Sequence, residues 1–219
     1  MEAKIKTVPL ALIGRRWLSK RTFEIKFSRP PTLVFKSGQR MRFHHQALQR
    51  DYTPVSAPQD PEITFCIRKV DKGLLSPLLS RAAIGSHFEI SGPDGYFTFR
   101  PSGRTPIFVA TGAGIAPFCS MARSGVSGFT LLHGVDNPED LYYKEELKSS
   151  AALYVPCISK EYQSPTDYFC GRVTDYLQRH LPAAAYDFYL CGRREMIRDV
   201  TWLVDEKYAD SRIYTETFY

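Results

Sequence analysis

Residues 107–118, IFVATGAGIAPF, pass from an apolar, β-favouring run into Thr111-Gly112-Ala113-Gly114 and then into a segment carrying Pro117. Two glycines one residue apart, between a strand and a helix, suit the binding of phosphate. Glycine tolerates positive φ and lets backbone N–H groups approach a pyrophosphate closely. The helix that follows adds the positive end of its dipole. The third glycine of the G-x-G-x-x-G fingerprint is missing; Pro117 stands instead in the first helical turn, where an absent N–H costs nothing. The thiols point to no metal chemistry. Cys66, Cys119, Cys157, Cys170 and Cys191 are odd in number and scattered, with neither C-x-x-C nor the C-x₄-C-x₂-C spacing of an iron–sulfur cluster. The first four read as small buried hydrophobes in a reducing compartment, and no metal site is expected.

The elements that must position this loop fall into two grammars. Up to about residue 100 the chain reads as short strands near 5–13, 22–28, 40–46, 52–56, 62–70 and 86–90, punctuated by Gly, Pro, Asp and Ser, which predicts an antiparallel barrel or sandwich. Leu74 to Arg81 (LLSPLLSR) departs from that pattern as a single helix, with Ser76 as N-cap and Pro77 at the first helical position. After RPSGRTP the pattern alternates. Apolar runs at 107–111, 129–135, 151–158, 187–191 and 212–218 predict buried parallel strands, with helices near 115–122, 139–148, 171–180 and 193–208. Met196, Ile197, Val200, Leu203 and Val204 form one face of the last helix. The fold class expected is a β plus α/β two-domain protein: an antiparallel Greek-key barrel over 1–102, then a doubly wound parallel-sheet domain over 103–219, with the boundary near Ser102-Gly103.

Composition narrows the partners. With 219 residues, 43% hydrophobic and 24% charged, the chain has the make-up of a globular protein. The net charge of +6 is uneven: residues 1–105 carry 18 Lys and Arg against 8 Asp and Glu, and the remainder 11 against 15. A basic first half suits an anionic ligand or an acidic protein. No basic run or nucleic-acid motif is present, so nucleic acid is not expected as a partner. No apolar run reaches membrane-spanning length and the N-terminal stretch lacks a signal-like pattern, so a cytoplasmic protein without membrane contact is expected.

Further segments surround the glycine loop: RDYTPVS (50–56), KGLLSPLL (72–79) and GPDGYF (92–97) before it, CGRREM (191–196) and a terminal YTETFY after it. In order and spacing they make the chain resemble the ferredoxin–NADP⁺ reductase family of flavoproteins over nearly its whole length. In that family R-x-Y-[ST] binds the flavin, G-x-x-S opens a helix under its pyrophosphate, and G-P-x-G follows. T-G-x-G-x-x-P then serves the nicotinamide dinucleotide, C-G comes after it, and a glutamate and an aromatic close the chain. Pro117 is thus the family's variant of the fingerprint.

The resemblance implies roles. Arg50 pairs with the flavin phosphate, Tyr52 lies against the isoalloxazine, and Thr53 hydrogen-bonds near N5, which suits a guanidinium, an aromatic face and a hydroxyl. Gly73, Leu74 and Ser76 turn backbone N–H groups towards a diphosphate, which favours FAD over FMN. Thr111, Gly112, Gly114 and Pro117 receive NADP or NAD. Cys191 and Gly192 sit near the nicotinamide, although Arg193-Arg194 replaces the family's proline after C-G. Glu216 is the acidic residue near both rings, and either Phe218 or Tyr219 covers the flavin. Ser159-Lys160-Glu161 stands where members often carry S-R-E against a 2′-phosphate. Asp136, twenty-two residues past Gly114, stands where a carboxylate accepts from a free ribose 2′-OH. These two signals oppose each other, and the choice between NADPH and NADH stays open.

The activity implied is an FAD-dependent NAD(P)H oxidoreductase, with Thr53, Cys191 and Glu216 at the reacting atoms. Hydride would pass between nicotinamide and flavin, and single electrons between flavin and a separate acidic ferredoxin or flavodoxin. Two alternatives stand beside it: the reductase component of a multicomponent oxygenase, feeding a dedicated redox protein, and a non-catalytic flavin- or dinucleotide-binding regulatory subunit.

Overall fold

The computed structural model describes residues 6–160 and 167–218. They gather into two compact units: one runs to Phe99 and includes 116–124, and the other comprises 100–115 and the chain from Gly125.

The first unit holds β1 (Val8–Trp17), β2 (Thr22–Ser28), β3 (Arg40–His45), β4 (Leu48–Tyr52), β5 (Glu62–Arg68), α1 (Leu75–Arg81) and β6 (His87–Asp94). The sheet order is β4-β3-β6-β1-β2-β5, with antiparallel pairing throughout. β6 slots between β3 and β1 as a Greek-key return. Beyond β4 the chain comes back to the other edge. Pro54 bridges Phe65, and the Val55 N–H donates to the Thr64 carbonyl at 2.8 Å, closing the sheet as a barrel. Inward positions are filled by Leu10, Leu12, Phe23, Ile25, Phe27, Phe43 and Phe65, all with no exposed surface. Phe43 meets Phe27 at 5.6 Å and Phe65 at 5.1 Å between centroids, in tilted and edge geometries that add about 1 kcal/mol each beyond area burial.

Two expectations shift here. The strand placed at 52–56 lies at Leu48–Tyr52 instead, as a hairpin with β3. Its charged centre is satisfied across the ladder, where Arg42 donates to both Asp51 oxygens at 2.7 and 2.9 Å. Helix α1 starts at Leu75, so Leu74 is its N-cap and Ser76 is not. Pro77 falls at the third helical position, whose N–H has no intrahelical partner to lose.

The second unit holds β7 (Thr105–Thr111), β8 (Thr130–Val135), α3 (Lys144–Ser150), β9 (Leu153–Ile158), β10 (Phe169–Cys170), α4 (Val173–His180), β11 (Tyr186–Gly192), α5 (Arg194–Lys207) and β12 (Arg212–Thr217). A 3₁₀ turn, Gly112–Ile115, follows β7, and α2 (Ala116–Arg123) packs within the first unit, where Ser120 Oγ donates to the Ser56 carbonyl at 2.7 Å. The sheet is parallel, ordered β10-β9-β8-β7-β11-β12. Ile107, Val109, Leu132, Phe188 and Leu190 meet Leu177 of α4 and Met196, Val200 and Val204 of α5 in one buried cluster. The helix expected at 139–148 is split: a 3₁₀ turn covers Pro138–Asp140, and Tyr143, at φ 58°, breaks the path before α3.

Candidate functional site

Chain direction across the parallel sheet reverses between β7 and β11: from β7 the chain steps outward to β8 and β9, then returns to lay β11 on β7's other side. At such a switch point the carboxyl ends of two neighbouring strands leave a crevice between diverging connections. The ends are Thr111 and Cys191-Gly192, and the glycine loop begins there.

Packing is tight at this point. A Cβ on Gly114 would lie 2.7 Å from the Cys191 carbonyl carbon and 2.8 Å from Gly192 Cα. Gly112, at φ 53°, has nothing within 4 Å of where its Cβ would be. So Gly114 is required by the approach of β11, while Gly112 faces open space. Gly192 runs at φ 136°, and a side chain there would strike Thr111. The Thr111 hydroxyl in turn accepts from the Arg193 N–H at 2.9 Å. Cys191 is completely buried, in register with Ala110 on one side and Glu216 on the other. Burial pushes its thiol well above the usual range, and Glu216 adds to the effect. Cys191 is thus a neutral thiol and no nucleophile. The Phe218 N–H donates to the Gly192 carbonyl at 3.0 Å, tying this aromatic residue's backbone to the same strand end. Tyr219 and Glu161 lie outside the described residues.

A second cluster forms at the ends of β8 and β9. Ser159 Oγ donates to Asp136 Oδ1 at 3.2 Å, and Arg193 Nη2 lies 3.6 Å from Asp136 Oδ2. Asp136 and Arg193, which stands where the family carries proline, are therefore partners. Lys160 follows Ser159 at the surface.

In the first unit, Arg50, Tyr52 and Thr53 occupy the end of β4 and the residue after it. Arg50 is exposed, with Nη1 donating to the Gln49 carbonyl at 2.7 Å. Tyr52 packs edge-on to Phe43 at 5.4 Å, and burial raises its hydroxyl to about 12, with Arg50 pulling the other way. Thr53 is 2% exposed, and its Oγ1 is buried without a hydrogen-bond partner among the described residues. An orphaned buried hydroxyl, with an exposed guanidinium three residues before it in the chain, fits the demand of a flavin for a polar partner and a counter-cation. Gly73 lies at the entry of α1, with a Cβ there meeting the Val70 carbonyl at 3.0 Å. Ser76 Oγ accepts from the Val70 N–H at 3.1 Å, so it shapes this turn. Leu74, the N-cap, is exposed.

A cleft of about 570 Å³ on the β1–β2–β5 side of the barrel includes none of these residues. Its charges answer one another: Arg16 pairs with Glu24 at 2.8 Å and Lys26 with Glu62 at 2.7 Å. Nothing in it calls for a ligand. His133 went unnoticed in the sequence. It is fully buried on β8 and contacts the glycine loop. The signal was a polar residue inside the apolar run TLLHGV.

Comparison with known proteins places these halves. Residues 10–99 match the family model of an oxidoreductase FAD-binding domain, and residues 108–201 that of an oxidoreductase NAD-binding domain. Over 209 residues, 87% of the chain, it is 31% identical to the toluate 1,2-dioxygenase electron transfer component of Pseudomonas putida, of which it covers 61%. It is also 31% identical over 91% of its length to the reductase component of the naphthalene 1,2-dioxygenase/salicylate 5-hydroxylase systems of Ralstonia sp, covering 64% of that protein. The chain thus spans about three fifths of the length of these relatives. The crystal structure of a ferredoxin NADP⁺ reductase from Neisseria gonorrhoeae with bound FAD and NADP matches 99% of this chain and 100% of its own, with a TM-score of 0.84 and 22% identity, a likeness of fold.

Proposed function

Because the chain belongs to the ferredoxin–NADP⁺ reductase-like family of FAD- and NAD-binding oxidoreductases, we propose that it binds FAD and oxidises NAD(P)H on behalf of a one-electron redox protein. The observation that carries this reading is the switch point, where Thr111, Gly112, Gly114, Cys191, Gly192 and Glu216 gather at the carboxyl ends of three neighbouring strands, β7, β11 and β12. When bound, FAD supplies the chemistry that converts a two-electron hydride into single electrons. The chain's own residues do the rest. The Arg50 guanidinium neutralises flavin phosphate, and the Thr53 hydroxyl supplies a hydrogen bond where the barrel leaves it unpaired. The loop from Gly112 presents backbone N–H groups to the dinucleotide's pyrophosphate. Cys191, held neutral, and Glu216 beside it line the nicotinamide end, orienting the ring without forming a bond to it.

The acceptor proposed is acidic, because residues 1–105 are strongly basic. Turnover with a ferredoxin should slow as ionic strength rises; a rate indifferent to salt removes the electrostatic part. A second reading, the reductase component of a multicomponent oxygenase, is favoured by the relatives from Pseudomonas putida and Ralstonia sp. Among the described residues no helix is long and apolar enough to cross a membrane. All five cysteines are free thiols, which supports a reducing compartment, and we place the protein in the cytoplasm.

The deciding experiment is an anaerobic titration of the purified protein with NADPH and NADH in parallel, following flavin absorbance. Bleaching by either nucleotide supports the reductase. A yellow protein that neither bleaches leaves a flavin-binding subunit, and a colourless protein that takes up no FAD overturns the reading.

A further inference from the structure

His133 lies on β8 in register with Ala110 of β7 and Pro156 of β9, directly beside the strand that launches the glycine loop. It has no exposed surface. Nε2 lies 3.4 Å from the Gly112 carbonyl oxygen, and Nδ1 lies 3.0 Å from the Tyr154 hydroxyl. A carbonyl only accepts, so Nε2 carries the proton and Nδ1 accepts from Tyr154. The ring is thereby fixed at both nitrogens. In a trans peptide the carbonyl of one residue and the N–H of the next point in opposite directions. With the Gly112 carbonyl drawn inward onto His133, the Ala113 N–H is turned outward, on the loop where Gly112 faces open space.

We propose that His133 is the positioning residue of the dinucleotide loop, holding the Gly112–Ala113 peptide so that its N–H is presented to the nucleotide pyrophosphate, with Tyr154 holding the histidine in the tautomer that does so. This rests on the dinucleotide-binding reading above. The titratable and charged groups facing the ring are the Tyr154 phenol and the Asp140 carboxylate, the latter accepting from the Tyr142 hydroxyl at 2.6 Å. Burial holds the imidazole neutral, down to about pH 4, so the donor stays in place throughout the neutral range.

The test is calorimetric titration of the full-length protein with ADP-ribose and with 2′-phospho-ADP-ribose, which carry the pyrophosphate but no nicotinamide. His133→Gln keeps a donor near the position of Nε2 and should bind the preferred probe within about twofold of the parent. His133→Asn keeps only the Nδ1-like end and should bind about fivefold to tenfold more weakly. Tyr154→Phe frees the tautomer and should weaken binding about threefold, while KM for the dinucleotide rises and kcat holds. Equal affinity in His133→Asn and the parent overturns the proposal. If His133→Asn does not fold, Tyr154→Phe decides, and unchanged affinity there overturns it. If the parent binds neither probe, the dinucleotide reading itself falls and this inference with it.

Discussion

Replacing Thr53 with valine should stabilise the protein without flavin and weaken its hold on FAD. The residue lies between Tyr52, at the end of β4, and Pro54, which closes the barrel on Phe65. It is 2% exposed, and its hydroxyl has no partner among the described residues. Valine keeps the shape and removes the polar atom. An unpaired buried hydroxyl costs about 1–3 kcal/mol, so flavin-stripped Thr53→Val should gain about 1–2 kcal/mol, or roughly 3–6 °C in Tm for a chain of this size. With flavin bound as proposed the sign should reverse, because the hydroxyl would then have a partner to lose. FAD should bind about fivefold to tenfold more weakly. Urea unfolding of stripped protein reads the first quantity, and quenching of flavin fluorescence reads the second. A stripped variant less stable than the parent refutes the claim that this hydroxyl is orphaned. A stabilised variant with unchanged FAD affinity refutes its use by the flavin.

His133, neutral when folded and titrating at about 4 against an ordinary 6.5, makes the folded state bind fewer protons than the unfolded chain between those values. Its stability contribution is therefore complete above pH 6.5 and falls as pH drops towards 4. Relative to His133→Gln, the parent should lose about 3 kcal/mol across that window, read from urea midpoints at each pH; parallel losses in both proteins would contradict the assignment. Gly114→Ala should cost about 3 kcal/mol, since its Cβ meets backbone, whereas Gly112→Ala should cost about 1 kcal/mol and act mainly on nucleotide affinity. Equal costs in urea would mean that β11 does not press on the loop. Asp136→Asn should raise the ratio of kcat/KM for NADPH over NADH by about fivefold, and a ratio that stays put would remove Asp136 from the ribose site.

Where a segment's environment is set by its own residues, the sequence was legible. The runs now seen as β7, β8, β9, β11 and β12 are parallel strands, most of them buried on both faces, so they read as continuous apolar stretches. Helix α5 buries Met196, Val200 and Val204, as its periodicity requires. The hairpin strand β4 was misplaced because Arg50 and Asp51 look like turn residues. Only the partner strand shows that Asp51 is held by Arg42 and Arg40, at 2.7 and 3.2 Å. The site divides in the same way. The glycine loop is local and was visible. That Cys191 lies beside Glu216 follows from strand order alone, across 25 residues of chain. The bond from His133 to Gly112 spans 21 residues and has no local signature beyond one polar residue in an apolar run.

The opposed signals for NADPH and NADH have a common structural root. Taken singly, Asp136 repels a 2′-phosphate and Lys160 attracts one. In the fold each Asp136 oxygen already has a polar neighbour, Ser159 on Oδ1 and Arg193 on Oδ2. A ribose 2′-OH that donated to this carboxylate would have to share it with Ser159. A 2′-phosphate arriving there would meet Arg193 as well as Asp136, and a guanidinium can engage both anions because it offers five donors. Arginine in place of the family's proline after C-G therefore changes what Asp136 means: the carboxylate comes with its own cation. On the proposed dinucleotide reading, nucleotide choice belongs to the pair, and substitutions at 136 and 193 should combine non-additively, because each alters the charge the other faces.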